Sequence, residues 1–306
     1  MAVTVAEETL NIAVTFDQNY LPPAYALLTS ILVNNSAVKV AIHAIATGLT
    51  VEQTDELTRY VRKYKGEISF YDLGKDFGAD FILPKTAWWT TSIYYRLQFP
   101  LLLPKSVKKF LYLDTDIIVL RSLSMLFGTD MTSRPLAAVV DKIGARPELG
   151  IFEASNYFNS GVLLINKQEW LDQHISSKVI DFIRGNADKL VYPDQDALNV
   201  VFRNNWVRLA SGFNTMFEDI PHGLSKQNYT NFLRDVVILH YTTQHKPWAM
   251  IGRNPLRYIY HRYLAKVPRK YQTYYTDFVW DRHKIREMIG IRLTETWPNI
   301  SLFRKI

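Results

Sequence analysis

Lys109–Leu120 reads KFLYLDTDIIVL, and two carboxylates, Asp114 and Asp116, sit one residue apart inside it. Phe110–Leu113 before them and Ile117–Leu120 after them are continuously apolar, the pattern of a strand buried on both faces. A carboxylate in such a run costs several kcal/mol unless a counter-charge offsets it. The nearest cations, Lys108 and Lys109, precede the apolar stretch and point toward solvent, so a side chain is not the expected counter-charge. A divalent metal is, because hard cations take carboxylate oxygens in open sites and leave room for substrate phosphates. The bland alternative is a strand that ends at Leu113, with both acids in an exposed turn.

The chain of 306 residues is 48% hydrophobic and 21% charged, ordinary values for a soluble globular protein. It has no cysteine, which excludes disulfides and thiolate metal sites and suits a reducing compartment. Met1–Leu10 carries Glu7 and Glu8 and lacks the basic start and apolar core of a secretory signal. No stretch approaches the roughly 20 apolar residues of a membrane helix, so a soluble cytoplasmic protein is expected. The net charge of +7 is uneven: residues 253–306 hold 12 Lys/Arg against 4 Asp/Glu, together with ten of the 41 aromatics. That asymmetry places a functional boundary near residue 250.

Strands and helices alternate along the rest. Leu10–Phe16 reads as a strand ending at Asp17, Asn19 and Tyr20, and Pro22 and Pro23 suit the first turn of a helix over Ala24–Val33. Val38–Ala46 is a second strand, Thr50 and Gln53 make a capping-box pattern for a second helix, and Ile68–Leu73 is a third strand. Thr91–Phe99 is expected to be helical, Pro135–Val140 a strand running into Asp141, and Gln168–Ile183 one amphipathic helix. Asn159-Ser160-Gly161 precedes a strand, and Gly161 suits a place where the backbone approaches something closely. Tyr192–Phe202 is a helix with Asp194 and Asp196 in its opening turn, where complementing the helix dipole is the simple reading. Val236–Tyr241 is a buried strand ending on His240, which taken alone is a packed histidine. The alternation predicts an α/β fold with a mostly parallel sheet covered on both faces. Ligands bind at the carboxyl ends of strands in such sheets, where Asp17 and Asn19 fall together with Asp114 and Asp116.

Taken jointly and in order, FLYLDTDIIV, YFNSGVLLIN, YPDQDALN and HYTTQHKPW resemble glycosyltransferase family eight, retaining transferases with a GT-A (Rossmann-like) fold. The resemblance runs from about Leu10 to Met250 and implies a catalytic nucleotide-sugar domain over residues 1–252, followed by a helical, basic and aromatic extension over 253–306. It implies that Asp114, Asp116 and His240 bind a divalent metal that holds the diphosphate of a UDP-sugar. Mn²⁺ is favoured over Mg²⁺ because an imidazole joins the oxygen ligands. Asp17, Asn19 and Tyr20 match the nucleotide-facing end of the first strand, and Lys246 matches the lysine on the diphosphate. Arg96, Asn159, Asp194 and Gln195 match residues around the transferred hexose, with Gln195, Asp194 and Arg96 at the reacting centre. Asp141 matches a position facing the acceptor, a glycan, glycolipid or glycoprotein. One residue departs from the family pattern: Thr243 stands where family members usually have glycine before K-P-W.

The D-x-D also nearly fits a haloacid-dehalogenase-type phosphatase, but Ile118 takes the Thr/Val position and no G-D-x-x-x-D follows. A sugar- or nucleotide-binding protein without turnover is the other alternative, with Thr243 as its support. The basic aromatic tail is expected either to be a plain helical subdomain or to attach to the anionic inner membrane face. Nucleic acid is not expected, since no recognition motif accompanies the charge. Trp88 and Trp89 are candidates for a sugar-stacking platform.

Overall fold

The computed structural model describes residues 9–74, 77, 91–224 and 226–296; Trp88 and Trp89 lie outside them. Seven strands form the main sheet: β1 (Leu10–Asp17), β2 (Val40–Thr47), β3 (Glu67–Phe70), β4 (Lys109–Leu113), β6 (Leu136–Ala138), β7 (Val162–Asn166) and β8 (Val207–Arg208). They lie in the order β3-β2-β1-β4-β7-β6-β8, and all run parallel except β7, which is antiparallel to both β4 and β6. The remaining strands, β5 (Ile117–Val119) and β9 (Ile238–His240), pair with each other in a small antiparallel sheet. Helices α1 (Leu21–Asn34), α2 (Val51–Lys63), α3 (Phe99–Leu102), α4 (Ser124–Phe127), α5 (Lys167–Asp172), α6 (Ile175–Asn186), α7 (Pro193–Phe202), α8 (Lys226–Phe232), α9 (Arg257–Leu264) and α10 (Arg282–Thr296) surround them.

The apolar runs are continuous because both faces of the sheet are covered. Ile12, Val14, Leu111, Leu113, Val162 and Leu164 enter one core with Leu27 and Ile31 of α1 and Leu57 and Val61 of α2. Their neighbours Ala13, Phe110, Tyr112, Leu163 and Ile165 enter the opposite core, with Trp170 of α5, Val179 of α6 and Phe202 of α7. The start of the tail joins the first of these cores through Leu256, Ile259, Tyr260, Leu264, Val267 and Tyr271.

Local signals explain the helix starts. Pro22 and Pro23 occupy the first turn of α1, and Thr50 and Gln53 exchange both bonds of a capping box at 3.2 and 2.9 Å. Two segments differ from the expectation. Thr91–Gln98 is a 3₁₀ segment, and the stretch read as one helix over Gln168–Ile183 is two, α5 and α6. The break falls at His174, whose φ of 52° puts it in the left-handed region and turns the chain.

His43 on β2 is buried with its ring between Tyr71 Oη (2.9 Å) and Asn11 Oδ1 (3.1 Å). Burial, and then the Lys167 charge, bring its pKa down to about 4 from 6.5. Above pH 6.5 both folded and unfolded chains leave it neutral. As pH falls from there toward 4, the unfolded chain takes up a proton that the folded one refuses, and stability drops by about 3 kcal/mol. Chemical denaturation at pH 7 and pH 4.5 should show a smaller acid loss for His43→Gln, by about 2–3 kcal/mol.

Candidate active site

The topology brings the separated motifs to one rim. β1 and β4 are parallel neighbours, with Val14 opposite Leu113, so Asp17 and the Asp114–Asp116 segment leave the sheet at the same edge. β1 has β2 on its other side, which makes the β1–β4 gap the point where strand order reverses and ligands enter such sheets. β7 runs the other way, so its start meets the end of β4: Leu113 lies opposite Val162, and the Asp114 N–H donates to Gly161 O at 2.9 Å. In the small sheet Ile117 pairs with His240, and the Tyr241 N–H donates to Asp116 O at 2.9 Å.

The stretch Lys109–Leu120 is thus two strands in different sheets, joined by Asp114-Thr115-Asp116. The strand does end at Leu113, yet the turn is not an exposed one: the side chains of Asp114 and Asp116 are 26% and 15% exposed. The expectation that no side chain supplies the counter-charge is corrected. Arg96 Nη2 binds Asp114 Oδ1 at 2.9 Å, and Lys246 Nζ pairs with Asp116 Oδ2 while donating to Tyr241 O at 2.7 Å. Neither cation is near the acids in sequence, and the sheet order delivers both. Burial would raise the Asp116 carboxyl, but Lys246 and His240 outweigh it and hold it well below the usual carboxylate range.

Arg96 is buried and uses its fork fully. Beyond Asp114 it meets Asp194 Oδ2 at 3.2 Å, donates to Ser160 O at 2.6 Å and to Ile93 O at 3.1 Å, and stacks over the Tyr112 ring at 4.5 Å. Burial lowers its pKa, but Asp114 and Asp194 more than reverse that and keep it charged. The Tyr112 hydroxyl donates to Asp114 Oδ1 at 2.8 Å, so a residue legible only as core is a second partner of the first aspartate.

Asp114, Asp116 and His240 each offer one ligand atom, and those atoms lie within 4.8 Å of one another. His240 Nδ1 sits 3.0 Å from Asn214 Oδ1, while the Asn214 amide nitrogen is committed to Asn159 Oδ1 at 2.9 Å. Nδ1 therefore donates to Asn214, and Nε2 is the ring atom turned toward Asp116 Oδ1, 3.1 Å away. With Nδ1 committed to Asn214, Nε2 is left to join the two carboxylates, and an imidazole nitrogen beside two carboxylate oxygens is a donor set that fits a divalent metal. Gly161 borders the cluster. A Cβ there would overlap His240 Cε1 and come within 2.7 Å of Asp114 Oδ2, so glycine lets the start of β7 close onto the ligands.

The hexose-pocket candidates are also gathered. Gln195 Oε1 accepts from Ser160 N (2.9 Å) and Asn159 Nδ2 (3.2 Å), and its Nε2 donates to Asp141 Oδ2 (3.2 Å) and Tyr157 Oη (3.3 Å). Asp141 is buried and also takes Asn159 Nδ2 at 2.9 Å. Asp194 accepts from Ser160 Oγ at 2.9 Å; burial raises its carboxyl pKa, which Arg96 opposes. Asp196 points elsewhere: fully buried, it binds Arg146 Nη1 (2.7 Å) and Tyr157 Oη (2.5 Å) and caps the N–H groups of Val191 and Tyr192. Asp17 caps a 3₁₀ turn through the N–H groups of Asn19 (2.8 Å) and Tyr20 (3.1 Å). Tyr20 meets the Trp248 ring edge-on at 6.1 Å, and its pKa rises to about 12 through burial and then the charges of Asp116, Asp17 and Asp114.

Thr243 has φ 67°, so the loop keeps the left-handed backbone that a glycine adopts without strain, at a cost of about 1–2 kcal/mol. Its Oγ1 accepts the His245 N–H at 3.3 Å. The residues missed in the sequence are Tyr112, Tyr157, Asn214 and Arg146: the last three meet the site from elements distant in the chain, whereas Tyr112 stands two residues before Asp114, where the alternation of a strand puts both side chains on one face.

A family model described as Glycosyl transferase family 8 matches residues 11–252. A lipopolysaccharide 1,2-glucosyltransferase of Escherichia coli is 35% identical over 253 residues, covering 79% of this chain and 74% of that protein. A lipopolysaccharide 1,3-galactosyltransferase of Salmonella typhimurium is 27% identical, covering 81% and 76%. Among solved structures, the galactosyltransferase LgtC, crystallised with donor and acceptor sugar analogues, superposes with a TM-score of 0.73 at 24% identity over 86% of this chain and 99% of that one. The chain belongs to glycosyltransferase family 8 and is a glycosyltransferase with the GT-A fold. The phosphatase reading of the D-x-D falls with that membership.

Gly161→Ala should leave the fold in place at a cost of about 1–3 kcal/mol. It should weaken Mn²⁺ binding, read by titration calorimetry, about tenfold or more, because the new methyl displaces His240 and Asp114.

Proposed function

We propose that this enzyme is a metal-dependent, retaining hexosyltransferase. It moves glucose, galactose or N-acetylglucosamine from a UDP-sugar to a hydroxyl of a glycan or glycoconjugate and leaves an α-linkage. The observation that carries the reading is the convergence of Asp114, Asp116 and His240 within ligand distance of one another, with Lys246 beside them and an amide-rich pocket next door. Mn²⁺ suits that ligand set best, with Mg²⁺ as the alternative. A metal bound there supplies Lewis-acid stabilisation of the charge that develops on the leaving UDP.

The chain's own residues do the rest. Lys246 places a second positive centre at the diphosphate. Tyr20 and Asn19 stand at the nucleotide end of β1, and Arg96, Asn159, Asp194 and Gln195 orient the hexose, with Asp141 toward the acceptor. Retention by double displacement needs a free carboxylate beneath the anomeric carbon. Gln195 is a neutral amide held by four partners, Asp194 is paired with Arg96, and Asp196 is spent on Arg146 and Tyr157. The support therefore lies with a front-face route. The bond from anomeric carbon to UDP oxygen breaks, and its electrons go to the β-phosphate. The acceptor oxygen bonds on the same face, and its proton passes to a phosphate oxygen.

The relatives' printed activities on lipopolysaccharide support a cell-envelope acceptor, and the reading includes a cytoplasmic site of action at the inner membrane face. In the described residues no helix is long and apolar enough to cross a membrane. The extension over 253–306 carries Trp280 at 90% exposure beside half-exposed Phe278 and Val279, amid an excess of Lys and Arg. Interfacial aromatics with basic residues around them suit an anionic membrane surface.

UDP release from UDP-glucose and UDP-galactose should require Mn²⁺, and Asp116→Asn should lower it roughly 100- to 1000-fold. No UDP from any nucleotide sugar, with or without candidate acceptors, would sink the transferase mechanism. A glycosyl ester trapped on Asp194 or Asp196 in a Gln195 variant would overturn the front-face step alone. The paired change Phe278→Ser and Trp280→Ser should reduce sedimentation with phosphatidylserine-containing vesicles while UDP release in solution stays unchanged. Equal sedimentation would refute the membrane role.

A further inference from the structure

The loop that follows Lys246 has its backbone held by the end of the chain. Pro247 O accepts from Arg257 Nη2 at 2.7 Å and faces His261 Nε2 at 3.0 Å. Trp248 O accepts the Thr276 N–H at 3.1 Å. The carbonyls of Ala249, Met250 and Gly252 converge on one atom, Arg292 Nη2 of α10, at 3.3, 3.0 and 3.1 Å. Asp277 Oδ1 accepts the Met250 N–H at 2.7 Å. Irregular backbone has no ladder to satisfy it, and here five of six successive carbonyls after Lys246 are satisfied from beyond residue 256.

The clamp is itself braced. Arg257 lies over the rings of Tyr274 (5.0 Å) and Tyr275 (5.3 Å), Arg292 over Tyr275 (5.8 Å), and His261 stacks on Tyr274 at 4.0 Å. At its other end the loop reaches the reaction centre: Lys246 is on Asp116, and Trp248 sits between Tyr20 (6.1 Å) and Tyr260 (5.1 Å). The family match ends at residue 252, so these holding residues lie outside it.

We infer that Arg292, together with Arg257, is a positioning residue for the donor diphosphate, fixing the Lys246–Gly252 loop before substrate arrives. The inference rests on the reading that Lys246 contacts the diphosphate. A loop already ordered spares the ordering cost of binding, so loosening it raises Kd and KM and leaves the chemical step alone. The Arg292 guanidinium is braced over the Tyr275 ring and by Glu295 at 2.7 Å, which holds Nη2 at the three carbonyls in one position; an ammonium on a flexible stem has donors enough but not that brace.

The test is calorimetric UDP binding to the full chain in Mn²⁺, with steady-state kinetics on a UDP-sugar and thermal melting beside it. Arg292→Met should raise the UDP Kd and the donor KM about tenfold and keep kcat within about twofold. Arg292→Lys should fall between it and the wild type, and carries the test if the methionine variant does not fold. Lys284→Met, an exposed charge on the same helix, should bind UDP like the wild type. Wild-type affinity in the Arg292 variants, an equal loss in Lys284→Met, or a fall in kcat at unchanged KM would each overturn the inference. Lys246→Met, run alongside, separates the two readings. If it binds UDP as the wild type does, the assignment of Lys246 to the diphosphate fails, whatever the Arg292 variants show.

Discussion

Everything at this site depends on keeping Asp114 and Asp116 ionised in a half-buried turn. Arg96 reaches Asp114 from the 3₁₀ segment Thr91–Gln98 and Lys246 reaches Asp116 from the loop after β9, so each acid has its own cation. A buried carboxylate left without a partner would cost several kcal/mol and would take up a proton instead of a metal. The break between β4 and β5 leaves Asp114-Thr115-Asp116 outside both ladders, where the two carboxylates meet these cations.

Around that pair the pocket is built from amides more than from charges. Gln195, Asn159, Asn214 and Ser160 form one connected network in which each bond orients the next, from Gln195 at the start of α7 to the ring of His240. Polar networks of this kind are fixed in geometry only when every member is satisfied. The carboxylates that flank Gln195 are paired with Arg96 and Arg146, while its amide nitrogen donates to the Asp141 carboxylate. Gly161 completes the arrangement by having no side chain at the point of closest approach.

The end of the chain has two faces with different work. Its inner face fills the core beside α1 and holds the carbonyls after Lys246, while its outer face shows Trp280, Phe278 and Val279 to the surroundings. The basic residues counted as one excess in the sequence divide accordingly. Arg257 and Arg292 are structural cations spent on backbone and tyrosine rings, and Lys270 and Arg253 are paired with Glu56 and Glu287.

The sequence by itself determined the layer architecture, since apolar runs without alternation demand cover on both faces. It also carried two of the three candidate metal ligands, since two acids in an apolar run ask for a counter-charge wherever the chain goes, whereas His240 read alone as a packed histidine and joined them only through the family resemblance. Capping at Thr50 and the need for glycine at position 161 were legible for the same local reason. The tertiary structure alone decided which cations face which acids, because Arg96 and Lys246 lie 18 and 130 residues from their partners and meet them only through strand order. It alone divided Lys109–Leu120 between two sheets and committed Asp196 to Arg146 and Tyr157 while Asp194 pairs with Arg96. Local patterns report what a residue is able to do; which neighbour satisfies it is set by the register and order of strands, which no short stretch encodes.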